Sequence, residues 1–382
     1  MISSFKNMFF RVVRRFQKVP HLIEYIPKGD SVVVHISAFS YGNAGDTYLP
    51  VVLRDLFNNL IGVRKWIDVD VHSRVTSRDI RFYNDKDYIV IGGGGLFLSD
   101  TCPNETSGWQ WNCSIEALDQ IKCPIIAFAL GYNRFRGQED FKPIFTEHLN
   151  KFVEKASFVG IRNKGSIVKL SGYLKNDNLK AKLVYQPCMT TLTSKLYPTF
   201  VDYSKKEDFI ALNCAFDRKK LRSSSVDYLN SIARVMLKLS KITKIKVYAH
   251  MKPDLEIEEY LKLYNVPYEV VNLIKVEDIV SAYACPRVVV GMRGHAQMIP
   301  FGCQTAIVSI ISHDKMQWFL DDIGHPDWGA DVLDVNFEDR LLSEVLDAYY
   351  NYTDRIQAIK DAQENLWEVT KQNIKFIRNI IK

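Results

Sequence analysis

Short, continuously apolar, β-branched runs alternate with helical patterns through most of the chain, and this alternation restricts the fold more than any other feature. SVVVHIS (31–37), WIDVDVH (66–72), DYIVIGG (87–93), PIIAFALG (124–131) and SFVGI (157–161) are separated by helical stretches, among them one from about Thr47 to Leu60 and one near 140–155. Strands that are apolar on both faces and joined through helices imply a parallel sheet covered on each side. A polar stretch follows, from Thr190 to Lys206. The pattern then restarts with DFIALNC (208–214), KIKVYAH (244–250), a strand near 268–272, RVVVGM (287–292) and TAIVSI (305–310). At 382 residues the chain suits two such domains. We expect an α/β fold of two facing, doubly wound domains at 31–197 and 198–350. A basic amphipathic segment (1–30) precedes them, and a helix (351–382) follows, with Thr353 as the N-cap.

Charge and cysteine usage narrow the partners. Fifty Lys and Arg against 44 Asp and Glu leave a formal charge of +6, which suits an anionic substrate or a lipid surface better than a nucleic-acid track. Seven cysteines, odd in number and never in a C-x-x-C pair, point away from a disulfide framework or structural zinc and toward a reducing cytoplasm. No apolar run approaches the roughly 18 residues that span a bilayer. In residues 1–18, Ile2, Phe5, Phe9, Val12 and Phe16 recur at helical spacing, with arginines and lysines largely opposite. Such a helix either lies on anionic lipid or packs its phenylalanines on the domain, and the pattern alone does not choose.

Facing doubly wound sheets bring the C-terminal ends of their strands to one cleft, where ligands of such sheets bind. The first strand is followed by Ser40-Tyr41-Gly42-Asn43-Ala44-Gly45-Asp46, whose glycines and polar groups either receive a ligand or end in Asp46 as a helix cap. Gly92 to Gly95 lack the spacing of a dinucleotide fingerprint, and no Walker lysine follows. Gly94 and Gly95 still bring backbone close to a neighbour or an acceptor. Trp109 and Trp111 either stack on a sugar or anchor their loop. Arg162 and Arg293 each follow an apolar strand and open a helix, in what read as equivalent places of the two domains. That arrangement suits a phosphate or carboxylate. His295 follows Gly294 directly and is a candidate acid.

YGNAGD (41–46), VIGGGGLF (90–97), FALGYN (128–133), VGIRNKGS (159–166), VGMRGHAQMIPFGC (290–303) and SHDKMQWFLDDIG (312–324) together resemble the polysaccharide pyruvyltransferase family, from about residue 38 to 324. The resemblance implies two Rossmann-like domains in a GT-B-like arrangement. It also implies phosphoenolpyruvate as donor substrate, with no cofactor or metal, and a pyruvyl ketal placed on a sugar. Arg162, Arg293, Gly294, His295 and Lys315 would hold the donor. His295, Arg293 and Asp46 would act in catalysis, and Asn43, Gly94, Gly95, Trp109 and Trp111 would meet the acceptor. That acceptor is expected to be a lipid-linked saccharide, with galactose as the sugar, used at the inner face of the cytoplasmic membrane. Two departures stand out: Gly294 where the family more often has Leu, and Gln186-Pro187-Cys188 where many members have an Asp-Pro pair, leaving no carboxylate there. The rival readings are a GT-B glycosyltransferase using a nucleotide sugar and a non-catalytic glycan- or anion-binding module.

Overall fold

The structure, a computed structural model, describes residues 19–24, 26–39, 43–99, 105–216 and 227–381. The amphipathic stretch 1–18 and the loop 40–42 lie outside the described residues.

Among the described residues, twelve strands form two separate six-stranded sheets in which every pairing is parallel. The first contains β1 (Val32–Ser37), β2 (Lys65–Asp70), β3 (Tyr88–Phe97), β4 (Ile125–Tyr132), β5 (Phe158–Ile161) and β6 (Leu183–Tyr185), in the order β2-β1-β3-β4-β5-β6. The second contains β7 (Glu207–Asn213), β8 (Lys244–Ala249), β9 (Glu269–Asn272), β10 (Pro286–Gly291), β11 (Ala306–Ile311) and β12 (Gly329–Asp331), in the order β12-β11-β10-β7-β8-β9. All residues of β4 and β11 are buried, as strands covered by helices on both faces must be.

The two orders differ, and this corrects the expectation that Arg162 and Arg293 occupy equivalent places. The direction of winding reverses between β1 and β3 in one sheet and between β7 and β10 in the other. Arg293 follows β10 and so stands at a reversal point, where ligand crevices form. Arg162 follows β5, two strands away from its own sheet's reversal point, and reaches the cleft by side-chain length.

Five helices position the site: α1 (Ala44–Leu60), α2 (Lys164–Ser171), α3 (His295–Gly302), α4 (Asp314–Asp322) and α5 (Tyr352–Ile380). Asn43, not Asp46, caps α1, its side chain accepting from Gly45 N at 3.0 Å. Asn351, not Thr353, stands at the N-cap of α5. This last helix follows the second sheet but returns to the first. Asn373 Nδ2 donates to Tyr185 O at 2.9 Å, Gln186 Nε2 to Thr370 Oγ1 at 3.2 Å, and Gln363 Nε2 to Thr191 O at 2.8 Å.

Trp109 and Trp111 are each 1% exposed and packed among Phe97, His148 and Phe152. Trp109 Nε1 donates to His148 Nδ1 at 2.9 Å. Their assignment to the acceptor is therefore corrected, because neither ring has a face left for a sugar. Trp109→Ala is expected to cost about 3–5 kcal/mol in chemical denaturation, the scale of an emptied aromatic core site, with no selective change in acceptor KM.

Candidate active site

Asp46 lies in the first turn of α1 and is half-buried. Burial pushes its carboxyl up to about 6, against the opposing pull of Arg293, Arg162, Lys315 and His72. Those four groups come from both domains, so Asp46 marks the centre of the cleft. The side chain of His295 crosses from the other domain onto α1, where a Cβ on Gly45 would overlap its ring. A glycine here lets helix and imidazole meet directly. Burial, then the charges of Arg162, His250 and Lys315, hold His295 well below its ordinary value, so the resting ring is neutral at pH 7. Its Nε2 is 3.9 Å from Cys188 Sγ, a thiol that burial pushes up in pKa.

The two arginines differ sharply in how they are held. Arg293 Nε donates to both oxygens of Asp254, at 3.0 and 2.9 Å, and Arg293 N donates to Asn213 Oδ1 at 3.3 Å. Asp254 is completely buried and also accepts from His250 N at 3.0 Å and Asn213 Nδ2 at 3.2 Å. The carboxylate thus fixes the guanidinium from behind. Arg162 is 6% exposed and lies flat on Gly131, where a Cβ would strike its guanidinium. Its Nε has no hydrogen-bond partner, and burial lowers its pKa. A buried guanidinium with an unsatisfied N–H is costly unless a ligand supplies an acceptor.

Gly294 precedes α3 with nothing within 4 Å of a Cβ built on it, and no side chain caps that helix. The first-turn amides Ala296 N, Gln297 N and Met298 N donate to Arg293 O and Gly294 O at 3.0, 3.2 and 3.0 Å, so what this helix end offers an anion is its dipole. The N-terminus of α2 behaves differently. Lys164 N donates to both carboxylate oxygens of Asp322, on α4 of the other domain, at 3.3 Å. The protein's own carboxylate occupies that helix end. The loop after β4 is clamped in the same way: Arg136 meets Asp331 through two bonds of 2.8 Å and Asp314 through one of 2.8 Å. Lys315 Nζ donates to Asn133 Oδ1 at 2.8 Å.

The structure thus brings together Asp46, Arg162, Arg293, Gly294, His295 and Lys315. It does not bring Asn43, Gly94 and Gly95 to a ligand in the expected way. Asn43 uses its carboxamide oxygen as a cap. Gly94 is buried beside Leu49, and Gly95 accommodates the Asn133 side chain. Sequence reasoning missed Asp254, which lies four residues beyond the 244–250 strand, in a 3-10 turn over Lys252–Glu256. It also missed the Asp70–His72 pair at the end of β2, written in plain view as DVH.

Asp46 and Asp322, the latter pushed up to about 7 chiefly by burial, set an expected pH dependence of stability. A carboxyl raised in the folded state contributes stability below its unfolded pKa and loses it as pH rises through the folded value. Their contribution to stability falls between about pH 4 and pH 7, while the buried histidines His35, His148, His250 and His295, held below their ordinary range chiefly by burial, contribute in the opposite direction, so urea unfolding reads the carboxyls as the difference between each variant and the wild type. Asp46→Asn and Asp322→Asn should each recover on the order of 2 kcal/mol at pH 7.5 and little at pH 4, after allowance for partial solvent screening.

Two doubly wound domains meeting across a cationic cleft define a GT-B-like, two-domain α/β fold. The fold is similar to that of MnaA from S. aureus, solved with UDP, at 10% identity and a TM-score of 0.51, covering 86% of this chain and 91% of that one. It is also similar to a Listeria monocytogenes protein of the UDP-N-acetylglucosamine 2-epimerase type, at 12% identity and 0.52, covering 87% and 91%. No curated protein sequence matches the chain. The sequence model of the polysaccharide pyruvyl transferase family matches residues 6–314, and the chain belongs to that family. It is accordingly an enzyme that modifies a saccharide.

Proposed function

We propose that the enzyme moves the pyruvyl group of phosphoenolpyruvate onto two hydroxyls of a galactose residue in a lipid-linked saccharide, closing a cyclic ketal and releasing phosphate. The observation that carries this reading is Arg162, a buried guanidinium whose Nε has no hydrogen-bond partner, electrostatically coupled to Asp46, on which Arg293 and Lys315 also act. Such a cluster suits a small donor carrying both phosphate and carboxylate better than a neutral sugar. Arg293, preorganised by Asp254 and set at the positive end of the α3 dipole, receives one anionic group, and Arg162 receives the other.

The reaction needs a proton at the enol carbon of the donor, attack of one hydroxyl at the adjacent carbon, and loss of phosphate as the second hydroxyl closes the ring. His295 is neutral at rest because burial, and then the cations around it, hold its pKa down. Donor binding places negative charge beside the ring and favours its protonated form, so the acid is charged by the substrate it serves. Asp46, whose carboxyl burial pushes up to about 6, is a second group able to hold a proton in the cleft.

Phosphate release from phosphoenolpyruvate, measured with galactose- and mannosamine-containing lipid-linked acceptors, tests the reading. Turnover is expected with a galactose acceptor. In calorimetry phosphoenolpyruvate should bind and UDP should not. UDP binding without phosphoenolpyruvate binding would overturn the proposal in favour of a nucleotide-sugar enzyme.

Among the described residues no helix is long and apolar enough to cross a membrane. Peripheral contact through residues 1–18 is part of the proposal, supported by their basic amphipathic pattern. Deleting them should reduce recovery of the protein in the membrane fraction severalfold without changing turnover of a water-soluble acceptor analogue.

A further inference from the structure

Arg162 lies on Gly131 near the end of β4. Asn133 lies in the same manner on Gly95 of β3, where a Cβ would overlap its Nδ2. Asn133 directly follows β4 and extends its ladder, its N donating to Phe97 O at 2.9 Å. Gly131 and Asn133 are alternate residues along this strand end, so they face the same side of the sheet, about 7 Å apart. The Asn133 carboxamide therefore shares a face of the first sheet with the Arg162 guanidinium.

Lys315, in the first turn of α4, reaches the same carboxamide from the second domain. Its Nζ donates to Asn133 Oδ1 at 2.8 Å and lies 4.9 Å from the centre of the Phe135 ring. Phe135 is buried and meets the ring of His313 edge to face at 4.3 Å between centres. The loop is braced from within, Phe135 N donating to Gln138 Oε1 at 2.9 Å, and Arg136 ties it to Asp314 and Asp331. It thus sets the Lys315 ammonium in place from across the cleft. An ammonium only donates, so the carboxamide atom facing it is the oxygen, and Nδ2 is left as a donor. Among the described residues nothing accepts from Nδ2, and Asn133 is only half-buried.

We infer that Asn133 is a binding residue of the donor site, fixing Lys315 through Oδ1 and donating through Nδ2 to the donor's phosphate. Two cations and a neutral N–H suit a dianionic group with three outer oxygens better than a carboxylate with two oxygens and one charge. Lys315 also acts electrostatically on Asp46 and His295, in keeping with a place at this cleft. The choice of residue supports the same assignment. An aspartate would pair with Lys315 more strongly than an asparagine does, but it would neutralise the ammonium and repel an anion. A carboxamide holds the ammonium in place and leaves its charge to the ligand. Because Asn133 and Lys315 come from different domains, the phosphate is gripped from both sides of the cleft.

This inference rests on the pyruvyl-transfer reading, and its test separates the two. Asn133→Asp keeps an acceptor for Lys315 and removes the Nδ2 donor. In calorimetry at about 0.5 M NaCl, which screens charges not in contact, it should weaken binding of phosphoenolpyruvate and of inorganic phosphate. The expected loss is about 10–100-fold, the scale of a hydrogen bond to a charged group. Affinity for pyruvate, which carries the carboxylate alone, should stay within about twofold, and the melting temperature should not fall. Asn133→Leu and Gly95→Ala add no charge and should each weaken phosphoenolpyruvate binding at least about tenfold, the second because its methyl group displaces Nδ2. Wild-type phosphoenolpyruvate affinity in Asn133→Asp overturns the inference alone, as does a loss confined to pyruvate. A wild-type protein that neither binds phosphoenolpyruvate nor turns it over overturns the reading beneath it.

Discussion

Arg162→Ala is expected to reduce kcat/KM by about 10³-fold or more, the scale of removing a preorganised charge from a catalytic cleft, while the melting temperature stays unchanged or rises. Loss of activity without loss of stability follows from how the side chain is held. The guanidinium is buried with no partner for Nε, so the folded protein bears its desolvation, which outweighs the electrostatic pull of Asp46 and Cys188. Alanine removes that burden together with the ligand contact. Gly131→Ala provides an independent check, because a methyl group there must displace the same guanidinium without altering its charge. It should lower donor affinity in calorimetry by at least about tenfold, corresponding to roughly 1.4 kcal/mol. Wild-type donor affinity in both variants would remove Arg162 from the site.

Asp254→Ala should show the opposite combination, with both activity and stability falling. The carboxylate is fully buried and accepts from Arg293, Asn213 and the backbone of His250. Deleting it takes from a largely buried guanidinium the carboxylate that faces it, which costs about 3–5 kcal/mol in comparable settings, measurable by urea unfolding. Arg293 would also lose its orientation, so donor affinity should fall at least about 10²-fold, roughly 2.7 kcal/mol. Asp254→Asn keeps one acceptor oxygen and should recover part of the stability but little of the donor affinity. A stable, tight-binding Asp254→Ala protein would mean that Arg293 needs no support from behind.

The alternation of apolar runs made the two parallel sheets legible because strands buried on both faces must be apolar throughout. Strand order was not legible, because it depends on which edge each crossover returns to. Arg162 and Arg293 therefore looked equivalent in the sequence although the sheets wind differently. Among the cleft residues, Arg293, Gly294 and His295 could be read because a strand, a glycine and a helix start are local signals. Asp254 and His72 could not be singled out in the same way. Asp254 matters through a pairing with a residue 39 positions away, and His72 faces a glutamine brought near by a long loop. Trp109 and Trp111 show the converse difficulty, since a loop tryptophan is written identically whether its ring faces a sugar or the core.

The return of α5 to the first sheet bears on biosynthesis. A ribosome releases the strands and crossover helices of the first domain well before it makes the residues that bond to Tyr185 and Gln186. The nascent first half must wait, with its β6 border uncovered, through the synthesis of the entire second half. Stalling or premature termination after residue 350 would leave a protein with both sheets made and neither secured to the other by this clasp, a ready substrate for chaperones and proteases.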